Sequence, residues 1–368
     1  MAEHHPHAAF PSRPSSSHLH QQGNPFSRPQ TPHVGLQIGF CGLGAMGYFM
    51  ARNLANRHIA HPHSATPLLV WNRSVEKSEK LLKELGDNKV KIAGSIEEIA
   101  RECDMIFTNL ANDTVVKDVY VQFAKALEDS GSLKPKIFVE TSTIYPTLAG
   151  ELDTLISAHH GRLVMAPVFG APPVADAGKL LVVMAGDYRS KKEVAHVLIP
   201  SVGRSVIDLG GNLEKASTFK LIGNSMILGS IEILAEAFTL GERTGINASL
   251  VQTLVKELLP APIIVGYGEK ILHDAFDGTN GFAIDGGIKD ATHIRRLSTE
   301  TNVPMPSLDT AHQHLITARA IHAAQSLRGE HSYDTLDWSS LVAGTRVAAG
   351  LDPFDSAKHD RVVPVNED

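Results

Sequence analysis

Three glycines after an apolar run carry the first chemical signal. Ile38-Gly39-Phe40-Cys41 reads as a strand, and Gly42-Leu43-Gly44-Ala45-Met46-Gly47 follows it with the spacing Gly-x-Gly-x-x-Gly before a helical pattern. Gly42 permits the tight turn, Gly44 lets backbone approach a pyrophosphate, and Gly47 lets the helix pack close to the strand. The helix start adds N–H donors and a positive dipole end. Such a turn, with Leu43, Ala45 and Met46 between its glycines, suits a bound dinucleotide. A second signal closes the next apolar run, Val70-Trp71-Asn72-Arg73-Ser74. An acidic residue there would bond the adenosine ribose and repel a 2′-phosphate. Arg73 can instead pair with that phosphate and stack on adenine, while Asn72 and Ser74 can donate hydrogen bonds. The pattern favours NADP over NAD. Asn72 lies further beyond Gly44 than the usual ~20 residues, and residues 58–66, bearing His and Pro, supply the excess.

These residues need a scaffold. Strand-like runs fall at 36–41, 68–72, 89–93, 105–109, 136–140, 162–167, 180–185 and 205–209. Helical patterns at 45–57, 75–85, 96–102, 114–128, 146–158 and 190–199 separate most of them. This alternation predicts an α/β fold, a Rossmann-type doubly wound and mainly parallel sheet over residues 34–211. After Gly210-Gly211 the pattern changes. Residues 214–242 read as one long helix, apolar on most of its circumference, so it must be buried between domains or subunits. Helical patterns follow at 247–258, 262–275, 285–300 and 306–327 without strands, predicting an all-helical second domain over 212–345.

Residues 1–33 are rich in His, Pro, Ser and Gln and offer little to bury, which predicts a disordered tail; residues 346–368 read as a second tail. The net charge of −6 gives no reason to expect nucleic acid or an anionic membrane as partner. No apolar run approaches the ~20 residues of a membrane helix, and no secretory apolar core stands at the N-terminus. Cys41 and Cys103, the two cysteines of the chain, cannot form a disulfide framework and read as buried spectators. A cytoplasmic protein is expected, as a homodimer or homotetramer joined through the apolar long helix. No Cys/His spacing suits zinc, so no metal is expected, and no Gly-x-Ser-x-Gly nucleophile turn occurs.

Four ordered stretches resemble the β-hydroxyacid dehydrogenases, which include 3-hydroxyisobutyrate dehydrogenase and glyoxylate/succinic semialdehyde reductase. They are the glycine motif with Met50-Ala51-Arg52-Asn53-Leu54, Glu140-Thr141-Ser142-Thr143, Ala166-Pro167-Val168-Phe169-Gly170-Ala171, and Lys220-Leu221-Ile222-Gly223-Asn224. Lys289-Asp290 and Asp337-Trp338-Ser339 add weaker matches. The resemblance implies reversible hydride transfer between a nicotinamide and a small 3-hydroxy acid, semialdehyde or 2-oxo acid.

It also implies roles. Lys220 matches the lysine that protonates the carbonyl oxygen on reduction, and desolvation between domains would bring its pKa toward neutrality. Asn224 is one helical turn on and shares its face. Ser142, at a strand's carboxyl end, and the loop Phe169-Gly170-Ala171 are the candidate substrate anchors. Leu110, Asn112 and Lys289 match cofactor-contacting positions; Asn112 also reads as a helix N-cap. The chain departs from the family's usual Pro-Val-Ser-Gly-Gly at Phe169 and Ala171, and Gly223 stands where Asn is frequent. Either the anchor is backbone alone, or the substrate is bulkier and less polar. Two alternatives follow: an imine reductase of the same superfamily, which Lys220 argues against, and a cofactor-binding scaffold without catalysis.

Overall fold

The apolar run at Ile38–Cys41 forms β1, buried along its length as a central parallel strand must be. The structure is a computed structural model that describes residues 23–26, 35–60, 66–130, 135–279 and 281–359. Helix α1 (Gly47–Ala60) leads to β2 (Leu68–Trp71), α2 (Val75–Leu85), β3 (Val90–Ile92), α3 (Ile96–Glu102), β4 (Met105–Thr108), α4 (Asp113–Ser130), β5 (Ile137–Glu140), α5 (Pro146–Ser157) and β6 (Arg162–Met165). These six strands are parallel in the order β3-β2-β1-β4-β5-β6, so strand order reverses between β1 and β4. That switch point is where such sheets bind ligands. The short β7 (Val168–Phe169) and α6 (Pro172–Asp176), both absent from the sequence reading, precede β8 (Leu180–Gly186), α7 (Tyr188–Leu198) and β9 (Gly203–Asp208). Strand β8 runs antiparallel to β6 and β7 and parallel to β9.

Strand alternation divides the core between the two sheet faces. Phe40, Phe107 and Val139 face one side, with the two rings stacked at 6.1 Å; Cys41, Ile106 and Phe138 face the other. Both cysteines are free and buried, and burial pushes their thiols up, so neither is a ready nucleophile.

The second domain is helical: α8 (Leu213–Thr244), α9 (Ala248–Leu258), α10 (Pro262–Leu272), α11 (Ile284–Thr301), α12 (Pro306–Arg328) and α13 (Val342–Ala348). Asn212 caps α8 by accepting from the Glu214 N–H at 3.0 Å, and Gly245 ends it in the left-handed conformation. Contrary to the sequence reading, α8 has the length and hydropathy of a membrane span, because its few charges interrupt the apolar run without changing its average. Its buried face packs in both domains, with Leu213 and Ala216 in the sheet core and Leu221, Leu228 and Phe238 in the helical core.

Both predicted tails need correction where they are described. Phe26 is buried beside Tyr188, and the Val206 N–H donates to the Gly23 carbonyl, so residues 23–26 dock on β9 and α7. The rest of the 1–33 tail, apart from residues 23–26, lies outside the described residues. At the other end, residues 346–359 wrap the helical domain. Buried Arg346 donates to Asp274 at 2.7 Å and to Glu242 at 3.2 Å, Ser356 binds Asp274, and Phe354 packs on Phe276. Ionic anchors of this kind leave no apolar periodicity to read. The inserted loop is shorter than expected, because α1 continues to Ala60; residues 61–65 lie outside the described residues.

Candidate active site

The glycine turn is built from close approaches. At Gly42, φ is +98°, and a Cβ would fall 2.2 Å from the Asn109 carbonyl oxygen; one at Gly47 would fall 2.0 Å from that of Gly42. At Gly44 a Cβ would meet only open space, as a cradle left for a ligand requires. Asn72 fixes the turn: its Oδ1 accepts from the Leu43 N–H at 2.8 Å and its Nδ2 donates to the Ser74 carbonyl at 2.9 Å. Its amide is therefore a brace as well as a candidate ligand. Arg73 and Ser74 are exposed beside it, clear for a phosphate. The residues thus fit a dinucleotide, with its pyrophosphate at Gly44 and its adenosine end near Arg73.

From Met46 the route leads into a cleft between the domains. Leu110, Ser142, Phe169, Gly170 and Ala171 line it from the sheet side, and Lys220, Asn224 and Lys289 from the helical side. Nine of the sequence candidates meet there, counting Met46. Asn112 does not; its Oδ1 caps α4 through the Val115 N–H at 3.0 Å.

Lys220 Nζ donates to Asn224 Oδ1 at 2.9 Å, and Asn224 Nδ2 donates to Asp290 Oδ2 at 2.6 Å. The i,i+4 spacing on α8 supplies the first contact, and α11 supplies the second. The Lys220 ammonium also lies 4.2 Å from the centroid of the Phe169 ring. Burial lowers its pKa to about 8; Asp290 opposes this and Lys289 adds to it. An ammonium of this pKa releases a proton far more readily than a solvated lysine. Lys289 pairs with Asp290 at 3.0 Å and donates to the Thr143 carbonyl, tying α11 to the end of β5.

Ser142 is buried; its oxygen accepts from the Leu110 N–H at 2.7 Å, and its hydroxyl faces the Glu140 carboxyl. Beneath it, Glu140 is fully buried; its carboxylate accepts from the Ser142 N–H at 2.6 Å and the Thr108 hydroxyl at 2.7 Å. Burial pushes its carboxyl up to about 7 against those hydrogen bonds.

Sequence reasoning assigned no role to Glu140 or Asp290, although both stood inside quoted motifs. It also missed a clasp at the domain junction, where His293 meets Asp113 at 3.0 Å and Tyr145 donates to Glu300 beneath the Arg296 guanidinium. Isolated charges on two helix patterns give no sign that they meet. Asp337, from the closing motif, is buried and accepts from Lys270, the Phe282 N–H and Ser339, which seats Trp338 behind the cleft. Among the described residues no three His, Cys, Asp or Glu side chains form a metal cage.

A Rossmann sheet with a glycine cradle, joined to a helical domain across a lysine-bearing cleft, defines a NAD(P)-dependent oxidoreductase. Residues 37–210 match the model of the NAD binding domain of 6-phosphogluconate dehydrogenase, and residues 215–329 the model described as NAD-binding of NADP-dependent 3-hydroxyisobutyrate dehydrogenase. The chain belongs to the β-hydroxyacid dehydrogenase family. Among curated relatives, the NADH-dependent oxidoreductase ucdB of Aspergillus ustus is 24% identical, over 84% of this chain and 99% of that protein. The cytokine-like nuclear factor N-PAC of Danio rerio is 31% identical, over 57% of this chain and 42% of that protein. The structure of 3-hydroxyisobutyrate dehydrogenase from Salmonella typhimurium has the same fold, with a TM-score of 0.69, 20% identity and coverage of 83% of this chain and 99% of that one.

Proposed function

We propose that the protein transfers a hydride between NADP and a small carbonyl compound, the reaction that 3-hydroxy acids, semialdehydes and 2-oxo acids share, with Lys220 as general acid and base. The observation that carries this reading is the Lys220 ammonium, held in the cleft by Asn224 with a pKa lowered to about 8. The nicotinamide supplies or accepts the hydride when bound. In reduction Lys220 Nζ gives a proton to the carbonyl oxygen; in oxidation the neutral amine takes it from the alcohol. Asn224, itself held by Asp290, keeps Nζ in place. Exposed Arg73 and the lack of a carboxylate at position 72 support NADP over NAD. An intact Lys220–Asn224–Asp290 chain favours an enzyme over a scaffold that has lost catalysis. Exposed Met226, Ile233 and Leu240 on α8, with Leu250, Leu254 and Leu258 on α9, support a homodimer or homotetramer. A cytoplasmic location and partners limited to small molecules fit this reading. The test is turnover of small aldehydes and oxo acids followed by NADPH absorbance, parent against Lys220→Ala; parental turnover in the variant refutes it.

A further inference from the structure

The lining of the cleft bears on which substrate body it would accept beyond the carbonyl. Phe169, Ile227, Ile263, Tyr267, Phe282 and Trp338 all line it. The charged groups of the lining are Lys220, Lys289 and Asp290. Neither cation is spare. The Lys289 charge is taken by Asp290 at 3.0 Å, and the ammonium also binds the Thr143 carbonyl. Lys220 is needed at the carbonyl oxygen, and the Phe169 ring already lies against it. A substrate carboxylate would be desolvated beside the Asp290 charge with no free cation to pair it, which is strongly unfavourable.

The Phe169 ring holds its place because position 223 has no side chain. A Cβ built at Gly223 would fall 2.3 Å from both Cε1 and Cζ of that ring. Phe219 meets the same ring at 6.5 Å in an edge-on arrangement. Ring and glycine therefore form a matched pair, one from β7 and one from α8. Together they set an aromatic wall where a hydroxyl or amide could otherwise reach an anion.

We infer that the cleft takes a carbonyl compound whose remaining body is apolar, aryl or alicyclic and free of carboxylate, and that the Phe169–Gly223 pair sets this selectivity. The inference rests on the proposed oxidoreductase reading, but its test does not depend on turnover. Calorimetry on the NADPH-loaded protein compares benzyl alcohol and cyclohexylmethanol with 3-hydroxypropanoate and 4-hydroxybutanoate, which form dead-end complexes. The apolar alcohols are expected to bind at least tenfold more tightly. Phe169→Ser, and separately Gly223→Ala, which displaces the ring, should each reduce that preference at least tenfold while NADPH affinity stays within twofold. Equal or tighter binding of the hydroxy acids by the parent overturns the inference whether or not either variant folds. An unchanged preference in both folded variants removes the pair as its cause. Apolar alcohols that bind while their aldehydes are not reduced would support this pocket and refute the oxidoreductase reading. Hydroxy acids that turn over while apolar alcohols fail to bind would do the reverse.

Discussion

Asp290→Asn isolates the electrostatics of the proton donor without removing the donor. Asparagine keeps the shape of the buried carboxylate and one oxygen to accept from Asn224, while its NH2 replaces the oxygen that pairs with Lys289, so the Lys220–Asn224 chain survives and the charge and the Lys289 pair are lost. Asp290 stabilises the Lys220 ammonium through Asn224, across contacts of 2.9 and 2.6 Å. With the charges on the order of 7 Å apart and an effective dielectric of about 20, the interaction is worth about 2 kcal/mol. Its loss lowers the Lys220 pKa by about 1.5 pH units. The Lys289 charge, no longer neutralised, pushes the same way. Reduction requires the ammonium, so reductive turnover is full below the pKa and falls as pH rises through it. The parent should lose reductive kcat with a midpoint near the lowered pKa of about 8. In Asp290→Asn the midpoint should fall to roughly 6.5, and oxidation, which needs the free amine, should become active at correspondingly lower pH. The assay is kcat against pH in both directions at saturating cofactor. A reductive midpoint that stays near 8 or rises would refute the assignment of Lys220 as the titrating acid.

Lys220→Ala should lower kcat by about 10²–10⁴-fold with NADPH affinity little changed, and Lys220→Arg should not rescue it, since guanidinium holds its proton too tightly; pre-steady-state and binding measurements check both. Arg73→Ala should weaken NADPH markedly and NADH little, so that the two affinities converge; titrations of cofactor fluorescence read this. Deleting residues 1–22 should leave the melting temperature unchanged, whereas deleting 1–26 should lower it by several degrees, because burying a Phe side chain is worth about 1.5–3 kcal/mol; scanning calorimetry on the two truncations decides it.

The sheet was legible because its central parallel strands β1, β4 and β5 are buried on both faces and read as short apolar runs between helical patterns. The glycine motif was legible because each glycine answers a local constraint, here the carbonyl oxygens that Cβ atoms at 42 and 47 would strike. Lys220 and Asn224 were legible as a pair because one helix carries both. Their third member was not, since Asp290 lies on α11, 66 residues from Asn224, and no local pattern predicts that meeting. The same holds for Glu140, whose carboxyl sits under Ser142 in a strand that otherwise reads as apolar. Arg346 and Phe26 were misread for a related reason: a segment held by one buried ion or one ring has no period.

Lys220 stands where α8 passes from one core to the other. Phe219, just before it, packs with the sheet, and Leu221, just after it, with the helices. An unbroken helix advances about 1.5 Å per residue and bends only gently without a proline or an inserted group. It is therefore a strut and a poor hinge, and the proton donor rides at its fulcrum. Relative motion of the two domains about this point would turn the ammonium little and the outer walls of the cleft more. The spacing between donor and dinucleotide cradle is then set by the rod itself, while admission and release fall to the flank that α10 forms through Ile263 and Tyr267.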